Sequence, residues 1–132
     1  MDHFDVNTPE RNVFINITQK VQDFVAKSDI KDGICYIFIP HTTAAVTINE
    51  SADPDVRIDV AEALNNIVPA HKKYRHSEGN SDSHIKASMI GTSEVIFVEK
   101  GRLQLGTWQG IFFCEFDGPR RRQVWLKLIG SQ

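Results

Sequence analysis

Hydrophobic positions change their spacing along the chain, and each change predicts an element. After a brief β-prone run at residues 13–15, four apolar residues recur at helical spacing and predict a first helix. They are Ile17, Val21, Phe24 and Val25. The continuous apolar run at 34–39 predicts a strand buried on both faces. Pro40 interrupts that strand, and the alternation at 45–49 predicts the next one.

A second helix is predicted to start at Asp53-Pro54-Asp55. Aspartates suit the free amides of a first turn, and proline has its φ preset there. Apolar residues at helical spacing then predict a buried stripe, and Pro69 ends the helix. The stripe consists of Val56, Val60, Ala63, Leu64 and Ile67. A short third helix takes Asp82 or Ser83 as its cap and stops at Gly91.

From Glu94 onward the pattern is typical of strands joined by tight turns, which predicts an antiparallel meander. Strands at both ends with two or three inserted helices predict an α+β fold, built on a mainly antiparallel, β-sandwich-like sheet. No Gly-rich phosphate loop supports a parallel nucleotide-binding sheet. Because 132 residues suit one hydrophobic core, we predict a single domain over residues 1–132.

Composition and charge narrow the range of partners. The formal net charge of -2 gives no overall electrostatic reason to expect nucleic acid, so none is predicted as a partner. The sequence has no apolar stretch of membrane-spanning or signal-peptide type, which predicts no membrane association and a cytoplasmic location. Cys35 and Cys114 lie in apolar runs and are predicted to be buried core residues.

Polar chemistry concentrates in the stretch 71–102, which holds three of the five histidines together with acids and serines. A connecting loop does not require this mixture, so we predict a site there. His41 follows a strand end, where ligand sites often lie. Imidazoles and acids from these segments can bind zinc or another divalent ion. The candidate metal ligands are His41, His76, His84, Glu78 and Asp82.

The same stretch can instead bind phosphate. Arg102 offers a planar guanidinium fork, and His84 lies in the first turn of a helix whose free amides favour an anion. Lys86 points toward that anion or into water. Carboxylates would then hold Mg²⁺ on a diphosphate, whereas imidazoles would hold Zn²⁺. The residue pattern leaves both interpretations open.

Two further segments have a structural and a functional interpretation. Arg120, Arg121 and Arg122 follow a predicted turn, and we interpret them as a solvated hairpin end, with a phosphate contact as the alternative. The segment GRLQLGTWQG at 101–110 carries three glycines among hydrogen-bonding and aromatic residues. Either β-bulges or a binding wall would explain it.

Three blocks of the chain carry a family resemblance. They are HTTAAVTINESADPDVRID at 41–59, YRHSEGNSDSHIKASMIGTS at 74–93 and GRLQLGTWQGIFFCEFDGPRRR at 101–122. As an ordered set they resemble the YjbQ-like family, also called UPF0047 or the secondary thiamine-phosphate synthase family. The chain departs from many relatives at Ser81-Asp82-Ser83, where they have a proline or another apolar residue. That departure concerns the shape of the loop.

The resemblance implies a compact α+β subunit that assembles as a homotrimer, with a polar cleft near the subunit contacts. It also implies a weak thiamine-phosphate synthase activity that joins hydroxymethylpyrimidine diphosphate to a thiazole phosphate. A small phosphorylated metabolite is therefore the expected partner, with Mg²⁺ or Zn²⁺ as the expected cofactor. The catalytic residues it implies are His41, His76, Glu50 and Arg102. The substrate-binding residues it implies are Thr42, Asn49, Lys86, Gln104, Thr107, Trp108 and Gln109.

In such a reaction the leaving diphosphate needs charge stabilisation. Arg102 and His84 would hold phosphate, and His76 or His41 would move protons. Two other classes compete with this transferase. One is a non-catalytic module that binds a phosphorylated metabolite or a metal, and the other is a metal-dependent hydrolase.

Overall fold

The computed structural model describes residues 2–131 and has eight strands and three helices in that range. The strands are β1 (Asp2–Asn7), β2 (Val13–Asn16), β3 (Gly33–Phe38), β4 (Ala44–Glu50), β5 (Ser93–Glu99), β6 (Arg102–Leu103), β7 (Gln109–Glu115) and β8 (Arg121–Gly130). The helices are α1 (Thr18–Lys27), α2 (Pro54–Ile67) and α3 (Ser81–Ile90). None of these helices has the length and apolar composition needed to cross a bilayer.

The strands form two sheets in which every pair is antiparallel. The five-stranded sheet has the order β1-β8-β3-β5-β6, and the three-stranded sheet has the order β2-β7-β4. The predicted α+β class is therefore confirmed. The predicted C-terminal meander is wrong, because β7 crosses to the second sheet and β8 returns between β1 and β3. β1 was not predicted at all.

The main core lies between the two sheets. Cys35 and Ile37 of β3 face Ile111 and Phe113 of β7, and all four side chains are fully buried. Helix α1 closes the core with its apolar face, as its spacing predicts. Burial raises the pKa of the Cys35 thiol to about 11, so this buried cysteine stays protonated.

A second apolar cluster lies on the other face of the three-stranded sheet, under α2 and α3. Leu64 and Ala87 pack there against Phe116. The buried stripe predicted for α2 is confirmed in part, because Leu64 is buried and Val60 packs against this cluster, whereas Ile67 is 66% exposed. Only one narrow side of α2 rests on the sheet.

The outer face of the five-stranded sheet is apolar and exposed. Tyr36 and Phe38 of β3 are 42% and 44% exposed. Within a single chain, the prediction that this strand is covered on both faces is therefore wrong. Val95 pairs in register with Tyr36, and Phe97 pairs with Ile34, which extends the apolar surface onto β5. We call this surface the outer apolar face, and it also includes Trp125 and Ile129 of β8.

Candidate functional site

Three segments meet at one end of the molecule and enclose a cleft of about 520 Å³. They are residues 40–43 after β3, the loop before α3 with the first turn of that helix, and the turn between β7 and β8. We call this space the histidine cleft, because His41, His76 and His84 all line it. The other lining side chains include Thr42, Thr43, Glu78, Asn80, Asp117, Arg120 and Arg122.

His41 is held in one tautomer by the backbone of β8. Its Nε2 accepts a hydrogen bond from the Gln123 N–H at 2.9 Å, so the proton of the neutral ring lies on Nδ1. Burial lowers the pKa of His41, and the nearby guanidinium of Arg122 lowers it further. At neutral pH His41 is therefore an uncharged hydrogen-bond donor through Nδ1.

His76 and His84 form a close imidazole pair. Their ring centroids lie 5.4 Å apart, and the ring planes are nearly perpendicular at 88°. Glu78 Oε2 lies 3.8 Å from Nε2 of His76. The side chains of His76 and Glu78 are 42% and 72% exposed, so this pair is open to solvent and to a ligand. The sequence identified all three residues, and the fold brings them together with His41 and Thr42.

Two arginines of the cleft form ion pairs within the wall. The Arg122 guanidinium is buried and donates from Nε to Glu115 Oε1 at 2.8 Å and from Nη2 to Thr43 Oγ1 at 2.8 Å. Arg120 donates from Nη2 to Asp117 Oδ2 at 3.0 Å. The interpretation of the arginine cluster as a solvated hairpin end is therefore wrong for Arg122.

Burial alone would raise the pKa of the Glu115 carboxyl, but hydrogen bonds from Arg122, the Asp117 amide and Thr8 hold it below its ordinary value. Glu115 therefore stays ionised beneath the cleft. Its negative charge offsets that of Arg122, which keeps this buried pair close to neutral as a unit.

Asp82 and Lys86 do not reach the cleft, which corrects their predicted roles. Both are buried on α3, and Nζ of Lys86 lies 3.6 Å from Asp82 Oδ2. Asp82 also accepts two hydrogen bonds from Arg11, at 2.9 and 3.0 Å. Its carboxylate is thus committed to two cations and is not free to ligate a metal. Lys86 points to Asp82 and Asn65 inside the protein, and not to a bound anion or into water. α3 begins at Ser81, so Asp82 lies inside the helix and does not cap it.

The remaining predicted site residues lie at the far end of the molecule. β4 runs roughly 20 Å from its start beside the cleft to Glu50. Glu50 pairs in register with Gln109, and Arg102 pairs with Glu99 at the end of β5 that adjoins the start of β3. The far-end group consists of Asn49, Glu50, Arg102, Gln104, Thr107, Trp108 and Gln109. Within one protomer the predicted catalytic residues therefore lie at two opposite ends. His41 and His76 are at the cleft, and Glu50 and Arg102 are at the other ends of β4 and of the β3–β5 pair.

Atoms of two of the five predicted metal ligands are already engaged within the protein. His41 Nε2 is occupied by the Gln123 N–H, and Asp82 is held by Arg11 and Lys86. Within residues 2–131, no three His, Cys, Asp or Glu side chains lie in an arrangement that holds a metal ion.

The comparisons with known proteins agree over nearly the whole chain. The family model described as UPF0047 protein YjbQ-like matches residues 2–131. The chain belongs to the YjbQ-like UPF0047 family. The UPF0047 protein MJ1081 of Methanocaldococcus jannaschii is 46% identical over 129 residues, covering 98% of this chain and 94% of the relative. The UPF0047 protein YugU of Bacillus subtilis is 48% identical over 126 residues, covering 95% and 96%.

Solved structures from this UPF0047 family have the same fold. A YjbQ/UPF0047 family protein from Clostridium acetobutylicum superimposes with a TM-score of 0.95 at 49% identity, covering 98% of this chain and 100% of that one. A protein of unknown function from Sulfolobus solfataricus superimposes with a TM-score of 0.94 at 34% identity, covering 98% and 96%.

The predicted thiamine-phosphate synthase activity is wrong as a conclusion for this UPF0047 chain. The relatives carry family names, or are described as uncharacterised or of unknown function, and none of those named above is described as a thiamine-phosphate synthase. The competing binding-module and metal-dependent hydrolase interpretations gain no support from them either. The geometry agrees with this correction, since Arg102 and Glu50 do not share a cleft with His41 and His76 in one protomer.

Proposed function

We propose that the histidine cleft carries out metal-independent acid–base chemistry on a small phosphorylated metabolite. The observation that supports this proposal is the convergence of three imidazoles from separate segments on one cleft of about 520 Å³. A cleft of this volume suits a small metabolite, because ligand pockets are roughly 300–1,000 Å³. Guanidinium and hydroxyl groups in the same wall suit the oxygens of a phosphate.

Each side chain has a distinct part in this proposal. The Nδ1–H of His41 and the hydroxyl of Thr42 donate hydrogen bonds to oxygens of the bound phosphate. The positive charge of Arg120 faces the negative charge of that phosphate. His76 and His84 act as a pair in which one ring takes a proton and the other gives one. Imidazole suits both roles because its ordinary pKa lies close to neutral pH.

Inorganic phosphate is the first probe of this proposal. We expect the ring resonances of His41, His76 and His84 to shift along one common saturation curve when phosphate is titrated into the protein and followed by NMR. His71 is exposed and does not line the cleft, so its resonances should stay constant. We expect Arg120→Gln to weaken phosphate binding by roughly tenfold, since one charge-assisted contact is lost, while Arg121→Gln leaves it unchanged. Independent shifts of the three rings, or none, would contradict phosphate binding.

Turnover tests the acid–base role separately. With any phosphorylated metabolite that the wild-type protein converts, we expect His84→Asn to lower kcat by about 10²–10⁴. The matched variant His71→Asn should keep the wild-type rate, because its imidazole lies outside the cleft. A His84→Asn protein that retains full kcat, in a reaction that the wild type catalyses, would show that the histidine pair moves no proton.

We also propose that the chain forms a homotrimer, as the family resemblance implies. The outer apolar face supports self-association, because contiguous exposed apolar surface of this kind marks interfaces. Phe97, on β5 at one side of this face, is 69% exposed. We expect Phe97→Lys to reduce the mass measured by light scattering from three chains to one, while Ile67→Lys on α2 leaves it unchanged. A wild-type protein of one-chain mass would contradict the trimer. The cytoplasmic location stays a prediction.

A further inference from the structure

A second pocket lies between β4, α2 and the C-terminal end of α3, away from the histidine cleft. Its volume is about 100 Å³. Phe14, Val60, Ile90 and Phe112 form apolar walls, and Glu50 and Arg57 bring opposite charges to the same small space. Both charged side chains are half-buried, so each charge is partly removed from water beside these apolar walls.

Arg57 is held against an aromatic wall of this pocket. Its guanidinium carbon lies 5.1 Å from the ring centroid of Phe112, a side chain only 1% exposed. This cation–π contact fixes the position of the guanidinium. It provides no negative charge, and within residues 2–131 Arg57 has no carboxylate within ion-pair distance. The guanidinium therefore keeps its capacity to bind a carboxylate in the pocket.

Glu50 lines the same pocket without pairing with Arg57. Its Oε2 accepts the Ala52 N–H at 3.2 Å, which orients the carboxylate. In the described part of the chain no cation lies within ion-pair distance of it. Asn49 and Thr47 add polar groups beside it. The two unlike charges thus line one pocket without forming an ion pair, and a ligand that carries both an anion and a cation would pair with each.

We infer that this pocket binds a small zwitterionic amino acid. The carboxylate of the ligand pairs with the Arg57 guanidinium, and its ammonium pairs with Glu50. A compact apolar side chain of the ligand packs against Phe14, Val60 and Ile90. The pocket volume of about 100 Å³ is below the roughly 300–1,000 Å³ of pockets for drug-sized ligands, so only amino acids as small as glycine or alanine fit.

Alanine, acetate and methylamine together test this inference on the full chain. Titrated into ¹⁵N-labelled protein, alanine should give saturable shifts centred on the amides of Glu50 and Arg57. Acetate and methylamine each carry one of the two charges, so we expect them to bind at least about tenfold more weakly. Equal binding of acetate and alanine, or no saturation by alanine at millimolar concentrations, would overturn the inference.

Variants that remove one charge each locate the site. Glu50→Gln and Arg57→Met should each weaken alanine binding by about tenfold or more, and Asp59→Asn on the exposed side of α2 should not. Thermal melts establish that each variant is folded. His84→Asn should leave alanine binding unchanged, because it alters only the histidine cleft. Alanine binding that survives both Glu50→Gln and Arg57→Met would overturn the assignment, whatever the outcome of the phosphate experiments.

Discussion

Replacing Arg122 with methionine is expected to lower the free energy of unfolding by about 3–5 kcal/mol, because it leaves a buried carboxylate without its partner. Glu115 is 0% exposed, and Arg122 is the cation that pairs with it. Methionine fills much of the space of the arginine stem but supplies no charge. Urea denaturation of the wild type and the variant gives the difference.

Arg121→Met is the matched control, since Arg121 pairs with Asp5 at the surface. Exposed ion pairs contribute little, so this variant should lose far less stability. The double variant Arg122→Met, Glu115→Gln should recover part of the loss, because no unpaired charge remains. An Arg122→Met protein as stable as Arg121→Met would show that the buried pair does not stabilise the fold.

The pH dependence gives an independent check on the Arg122 result. In the wild type the pKa of Glu115 is held below its ordinary value of 4.5, so its contribution to stability is present above that pH. The contribution is lost as the pH falls through the lower, folded-state pKa. In Arg122→Met burial acts without the arginine and raises the Glu115 pKa. We expect the deficit of the variant to shrink on acidification, as Glu115 takes up a proton.

Replacing Asp82 with asparagine is expected to cost about 3–5 kcal/mol of unfolding free energy, because Lys86 then lies buried as an unpaired cation. Lys86 is 1% exposed, and Asp82 is the carboxylate beside it. Asparagine keeps the shape of the site, so the loss reports on charge. Asp59→Asn on the exposed side of α2 should change the stability little. Equal stability of the two asparagine variants would contradict the expectation.

Raising the pH should partly rescue the Asp82→Asn protein. Burial lowers the pKa of Lys86 from its ordinary value of 10.5, while Asp82 opposes this shift in the wild type. Without Asp82 the folded-state pKa falls further, so the unfolded chain binds more protons at alkaline pH. Stability of the variant therefore rises as the pH approaches 10.5. Urea denaturation at a series of pH values measures this rise.

The spacing of apolar residues predicted the helices and strands well where it followed one regular period. α1 and the turns at Lys100-Gly101 and Asp117-Gly118 follow directly from spacing and glycine positions. The order of the strands does not follow from these patterns, because β8 near the C-terminus pairs with β1 and β3 in the first third of the sequence. The continuous apolar run of β3 predicts that both faces of the strand are covered within the same chain, but its outer face is exposed. A second copy of the chain can cover such a face as well as the chain's own core can.

Some residues of the candidate site could also be identified from the sequence, and others could not. His41, His76, His84 and Glu78 were identified because imidazoles and acids are informative as residue types. The role of Arg122 was missed because its partner, Glu115, is recognisable only once β7 and β8 are in place. Asp82 was wrongly predicted to be a metal ligand, because its partners within the protein are not visible in the sequence. Sequence shows that a carboxylate is present, but it does not show that Arg11 and Lys86 already neutralise it.

The brevity of β6 has a consequence for edge-to-edge aggregation. This strand pairs with β5 through only two residues, Arg102 and Leu103, so it presents almost no unpaired backbone to an incoming chain. β1, at the opposite margin, pairs along six residues, alternates polar with apolar side chains from His3 to Asn7 and carries Asp2 and Asp5. Fibrillar growth of the five-stranded sheet is therefore blocked by a short strand on one margin and discouraged by solvated charge on the other.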